Sequence, residues 1–214
     1  MDDTPRQPGR RVLLASVAGC AALGGVLVLL PWERAADTRE PAARALAAVT
    51  SGVPAALPDL GALVEERGRH LRRHPRDAES WAVLGAARVE QGRRLADPAY
   101  WSRAEKALRT SLEVRPEGNA RALRGLAALA NARRDFAGAR RWAEAARRLE
   151  PRRWTTYPLL IEACAGLGDH EAAGRMLDRL TGLRSGPAVR ARAAAVYRDR
   201  GWREDAAAQL ADAV

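Results

Sequence analysis

Three groups of residues in this chain are of types that do chemistry elsewhere. His70 and His74 stand four apart on one predicted helix, with Glu66 a turn away. That spacing can hold a metal ion on a helix face, but two imidazoles without a third strong ligand make a weak donor set. Cys164 has no sequence neighbour of its own kind, and Cys20 lies in an apolar run. Neither a disulfide nor a paired-thiol metal site is therefore expected, and Cys164 reads as a packed small residue. Arg121, Arg124 and Asn131 fall on one face of a predicted helix, where two guanidinium forks beside an amide suit a carboxylate or an acidic segment. No His-Glu-x-x-His, no Gly-x-Ser-x-Gly, no phosphate-cradling glycine loop and no cysteine pair at metal spacing occurs. The expectation is a chain that binds, with no catalytic residue, no cofactor and no metal.

The elements that must carry these residues repeat. Ser80-Trp81-Ala82-Val83-Leu84-Gly85 opens one unit, and Ala104, Leu108, Ser111 and Pro116 close it after an interruption over 94–100. A second unit has Leu123, Leu126, Ala127, Ala130, Phe136, Ala139, Ala146 and Pro151. A third has Tyr157, Leu160, Cys164, Gly168, Ala173, Leu177 and Leu180, and a fourth has Ala194, Tyr197, Gly201, Ala206 and Leu210. Large apolar residues recur at helical spacing. Small ones fall where two helix axes must approach, at Gly85, Ala104, Ala127, Ala139, Ala173, Ala194 and Ala206. Asp97-Pro98, Asp135-Phe136 and Asp169-His170 supply cap carboxylates before each second helix, with Pro98 expected at the first helical position. Thr155 or Thr156 caps the helix that carries Pro158 in its first turn. One helical hairpin cannot bury its own apolar face, so such units stack.

This pattern resembles the tetratricopeptide repeat over about residues 58–214. The resemblance implies an all-α array of helical hairpins: a cap helix over 58–74, acting as a half-repeat, then four repeats at about 78–116, 120–151, 154–185 and 187–214. It also implies that first helices line a concave groove that binds a protein or peptide partner. By phase, that groove includes Glu79, Ala82, Ala86, Glu90, Arg121, Arg124, Ala128, Asn131, Glu162 and Arg198. Arg121, Arg124, Asn131, Glu162 and Arg198 are its candidate contacts, and Tyr100 and Trp101, just past the interruption, are candidate aromatic ones. The run Val89–Leu108 is similar to membrane-anchored repeat proteins of actinobacteria, a likeness that implies no activity. Leu71–Gly85 resembles repeat modules of cytochrome c maturation, which implies an accessory role in that or another envelope assembly process as the alternative.

The N-terminal region points to the membrane. After a tail over 1–11, residues 12–30 carry no charge. At ~1.5 Å per residue such a helix approaches the ~30 Å hydrocarbon core. Arg10 and Arg11 precede the run and Trp32 follows it, as at an interface. An uncleaved single-pass anchor is expected over two rivals, a cleaved signal peptide and a lipoprotein acylated at Cys20. Arg6, Arg10 and Arg11 before the run balance Arg34, Arg39 and Arg44 after it, but Arg10-Arg11 abuts it, so the N-terminus is expected in the cytoplasm and the repeats outside, with a cytoplasmic-facing array as the alternative. Residues 31–57, rich in Ala and Pro, read as a linker, with room for a short helix from Pro41 to Val49. The net charge is +10, but lysine occurs once, and ten arginines fall within 119–153 against Asp135, Glu144 and Glu150. Arg140, Arg141, Arg147 and Arg148 form a stripe there. No interleaved stacking aromatics accompany these charges, which argues against nucleic acid as the partner.

Overall fold

The computed structural model describes residues 39–199 and Ala207. Residues 12–30 and half of the last repeat, Ala206 included, lie outside the described residues, and with them the expected anchor. No helix among the described residues is long and apolar enough to cross a membrane. Regular structure among them is all helical: α1 Pro41–Thr50, α2 Leu57–Arg73, α3 Ala78–Leu95, α4 Ala99–Val114, α5 Ala120–Ala132, α6 Phe136–Leu149, a short 3-10 turn Trp154–Thr156, α7 Tyr157–Gly166, α8 His170–Leu183 and α9 Pro187–Asp199. Consecutive helices pack as hairpins. The first helices of successive hairpins, α1, α3, α5, α7 and α9, also touch in turn.

Two boundaries differ from the sequence expectation. Residues 41–50, assigned to a linker with room for a short helix, form α1 and pack against α2 and α3 through Ala45, Ala55, Leu60, Leu63, Val83 and Ala87. A two-pronged ion pair fixes the contact, with Arg44 Nε 2.9 Å from Asp59 Oδ2 and Nη2 2.7 Å from Oδ1. The helix 57–73 is therefore the second member of a hairpin rather than a lone cap. The interruption over 94–100 also has a different form. Its extra residues lengthen α3 to 18 residues, against 13 in α5 and 10 in α7, and leave a turn of only 96–98. Pro98 precedes the helix, which begins at Ala99, and Asp97 Oδ1 accepts the Ala99 N–H at 2.9 Å.

One turn geometry joins the first and second helices of three hairpins. Asp97, Asp135 and Asp169 each donate a backbone N–H back to the fifth residue before them, Gly92, Ala130 and Cys164. The residue before each aspartate has a left-handed backbone: Ala96 at φ 51°, Arg134 at 62° and Gly168 at 74°. This is the helix-ending motif that satisfies orphan carbonyls. Asp135 and Asp169 then cap the next helix through the N–H groups of Gly138 and Ala172 at 2.9 and 3.0 Å. First helices are capped in the same way, α3 by Asp77 and α5 by Asn119.

The close approaches lie where small residues stand. A Cβ on Gly85 of α3 would meet Leu108 Cγ at 2.5 Å, and one on Gly125 of α5 would overlap the same leucine. Leu108 is fully buried on α4, so it occupies space that two glycines leave free. Ala104, Ala127, Ala139, Ala173 and Ala194 are all at or below 2% exposure. A buried polar link adds direction. Ser111 Oγ donates to Ala78 O at 2.6 Å, and Asn119 Nδ2 donates to Ser111 Oγ at 2.9 Å, tying each helix start to its neighbour.

Two outcomes are expected from this packing. Gly125→Ala should lower the melting temperature although alanine is the better helix former, because its methyl collides with Leu108. Gly61→Ala and Gly68→Ala in α2, with nothing within 4 Å, should instead gain about 0.5–1 kcal/mol. Thermal melts of the three variants check the contrast, and a stabilised Gly125→Ala would refute the Leu108 contact. The second outcome concerns acid. Burial alone would raise the Asp77 carboxyl, but hydrogen bonds from the Ser80 N–H, the Ser80 hydroxyl and His70 hold it at about 2, below its ordinary 3.8. Its contribution to stability is therefore whole above pH 3.8 and is lost as pH falls toward about 2. Asp77→Asn, which keeps an acceptor for the cap, should flatten the stability profile in that window.

Candidate partner-binding site

The residues expected to form one groove surface separate into two groups along the first helices. Near the start of α5, Arg121 pairs with Glu79 of α3, and Arg115 lies 3.5 Å from the same carboxylate. Arg124 pairs with Glu150 at 2.5 Å. Burial lowers the Arg124 guanidinium below its ordinary value, Glu150 opposes that, and Arg153 and Arg121 add to it. The two arginines thus stand together as their spacing implied, but each already holds a carboxylate from another element. Both carboxylates are about half exposed, at 48% and 45%, so a ligand acid can compete for the arginines. Ala82, expected on the groove surface, is fully buried.

The second group lies at the other end of α5. Asn131 is not a neighbour of the arginine pair in function: it is buried, and its Nδ2 donates to Leu159 O of α7 at 3.1 Å, joining successive repeats. It lines a cleft of about 420 Å³ together with Gly92, Trp101, Arg134, Phe136 and Glu162. Trp101 packs where a Cβ on Gly92 would stand, 2.8 Å from its Nε1, and Tyr100 lies beside the same glycine. Arg134 stacks over the Phe136 ring at 5.7 Å. Glu162 is half-buried and has no partner among the described residues. Arg198, in the last turn of α9, is exposed.

The remaining sequence candidates have local roles. His70 Nε2 lies 2.9 Å from Asp77 Oδ2, and Glu66 bonds Arg67 instead of approaching the imidazoles. Among the described residues no three His, Cys, Asp or Glu side chains converge on a metal position. Burial raises the Cys164 thiol, as for a packed, unreactive cysteine. In the arginine stripe of α6, Arg140 bonds Asp169 and Arg147 bonds Glu144, while Arg141 and Arg148 are exposed. Sequence reasoning missed Glu79 and Glu150 as arginine partners, and it missed the turn residues Ala96 and Arg134 as cleft walls.

No protein-family model matches the chain, and no curated protein is significantly similar to it. Solved structures do match. A thermophilic tetratricopeptide repeat protein of Thermus thermophilus aligns over 81% of this chain and 88% of its own, with 21% identity and a TM-score of 0.66. A tetratricopeptide repeat protein of Parabacteroides merdae covers 94% of this chain and 70% of its own, at 17% identity and a TM-score of 0.60. MamA aligns over 73% of this chain and 87% of its own, at 16% identity and a TM-score of 0.53. At these identities the likeness defines the fold: the described array is of the tetratricopeptide repeat type.

The roles assigned to the second group separate by stability. Asn131→Ala should cost about 0.5–1.5 kcal/mol, because it removes a hydrogen bond that joins successive repeats. Glu162→Gln removes no contact and should stay within about 0.5 kcal/mol of the parent. Chemical denaturation of both variants reads the difference, and an equal loss from Glu162→Gln would mean that the carboxylate is structural.

Proposed function

We propose that the chain is a membrane-anchored scaffold that holds a polypeptide partner on its first-helix face and does no chemistry of its own. The cleft supports this reading best. It is a concavity built by helices of two successive hairpins and the start of a third, on a fold whose relatives by shape are repeat proteins. Residues 12–30 supply the anchor as a single span. The basic flank Arg10-Arg11 favours an extracytoplasmic array. Arg121, Arg124, Asn131, Glu162 and Arg198, with Tyr100 and Trp101, are the proposed contacts. An acidic partner segment would compete with Glu79 and Glu150 for the arginine pair, since both carboxylates are about half exposed. The accessory role in cytochrome maturation rests on the Leu71–Gly85 likeness, and no feature of the array favours it over other partners.

The full-length chain should stay in the membrane pellet after carbonate washing, and its intact mass should retain Met1 or Asp2. A mass starting at acylated Cys20 would refute the span. Copurification from solubilised membranes then tests the scaffold. Arg121→Ala with Arg124→Ala should weaken partner capture at physiological salt by about tenfold or more, the effect of losing ~1.4 kcal/mol. Arg147→Ala with Arg148→Ala should change little, since exposed charges are screened within ~8–10 Å. Equal losses from both pairs, abolished by high salt, would point to a diffuse polyanion contact instead.

A further inference from the structure

Separate irregularities of the array meet in the cleft. Ala96 and Arg134 are the two non-glycine residues with positive φ among the described ones, at 51° and 62°, and both line it. The matching turn of the next repeat uses Gly168, the residue for which that backbone carries no penalty. Left-handed backbone at side-chain-bearing residues tends to gather at ligand sites. Trp101 Nε1 and Asn131 Oδ1 are two of the four buried side-chain polar atoms without a hydrogen-bond partner among the described residues. Asn131 itself is 4% exposed. Glu162, on α7, adds a carboxylate that makes no ion pair among the described residues.

The unmet valences specify a ligand. The indole N–H is a donor only, so the ligand must bring an acceptor. The Asn131 oxygen and the Glu162 carboxylate are acceptors, so the ligand must also bring N–H groups, and a positive charge on them balances Glu162. A lysine or arginine side chain has the donors without an acceptor. An internal peptide bond has both but no charge, and a carboxyl-terminal residue has both but brings a negative charge to Glu162. The first residue of a polypeptide carries an ammonium and its own carbonyl within one unit. The Phe136 and Trp101 rings offer an apolar wall to its side chain. Arg93 and Arg134 at the rim favour an acidic residue following it.

We infer that this cleft receives the free amino terminus of a polypeptide. The ammonium goes to Glu162 and Asn131, and the first carbonyl accepts from Trp101. The inference rests on the scaffold reading and adds which end of the partner is held.

The test uses the full chain purified in detergent and titration calorimetry with three synthetic probes. The first is the tetrapeptide amide Leu-Glu-Ala-Ala with a free amino group. The second is its N-acetyl form, and the third is the N-acetyl form with lysine in place of leucine. The free-amino probe should bind, and both acetylated probes should bind at least about tenfold more weakly. Glu162→Gln should lose the free-amino probe by a similar factor while its melting temperature holds. Ala132→Leu, which fills the cleft from its wall, should do the same. Equal binding of the free and acetylated forms would overturn the assignment, as would tight binding of the lysine probe, no binding of the free form, or indifference to Glu162→Gln. Copurification of a partner with the Arg121 and Arg124 variants reads the scaffold independently. Capture without peptide selectivity leaves the scaffold and removes the amino-terminal site, whereas selectivity without capture does the reverse.

Discussion

Leu108 occupies its place only because Gly85 and Gly125 have no side chain. Three helices, α3, α4 and α5, converge on that one leucine, and the first repeat is joined to the second through it. The contact sets how closely the first helices approach. Their spacing in turn fixes where Glu79 stands relative to Arg121, and where Asn131 can reach the Leu159 carbonyl. A single methyl at either glycine would move the frame that positions both ends of α5, since close-packed interiors transmit such strain instead of absorbing it. The Ser111–Asn119–Ala78 link acts alongside it. Apolar packing is tolerant of rotation, but a buried hydroxyl held between an amide and a carbonyl is not.

Several arginines serve the fold. Arg44, Arg121, Arg124, Arg133 and Arg140 each reach a carboxylate on a different helix or turn. Arg133 shares Glu105 with Arg109, and those hydrogen bonds hold that carboxyl below its usual range. The cleft itself is lined by Arg93 and Arg134 beside Glu162, in a protein whose total is +10. Net charge governs long-range encounter. The local valences of Trp101, Asn131 and Glu162 govern what can be seated.

The hairpins were legible because their signals are local. Leu84-Gly85, Ala139 and Asp135-Phe136 report helix contact and capping within a few residues of themselves. The aspartate turns needed no partner from elsewhere to be read. Helix α1 was less legible, because its Ala-rich sequence is short and its strongest anchor is the long-range pair Arg44–Asp59. The lengthening of α3 was hidden for a related reason: Arg93, Arg94 and Leu95 are compatible with either a loop or an exposed last helical turn. The pairing of Arg121 and Arg124 on one face followed from helical phase. Their carboxylate partners did not, since Glu79 and Glu150 come from other elements.

The cleft was invisible for a subtler reason. Glycine at 168 announces a left-handed turn, while Ala96 and Arg134 adopt the same backbone with no mark in the sequence. Both are held there by the aspartates that follow, whose N–H groups bond back to Gly92 and Ala130 and which then begin the next helix. The repeat thus imposes its turn on residues that do not prefer it. At Arg134 that imposition places a guanidinium over Phe136, at the edge of the space between repeats. A glycine there would relieve the backbone but remove the cation from the rim. The strain and the cleft are consequently one feature: the turn that ends α5 is also a wall of the cleft.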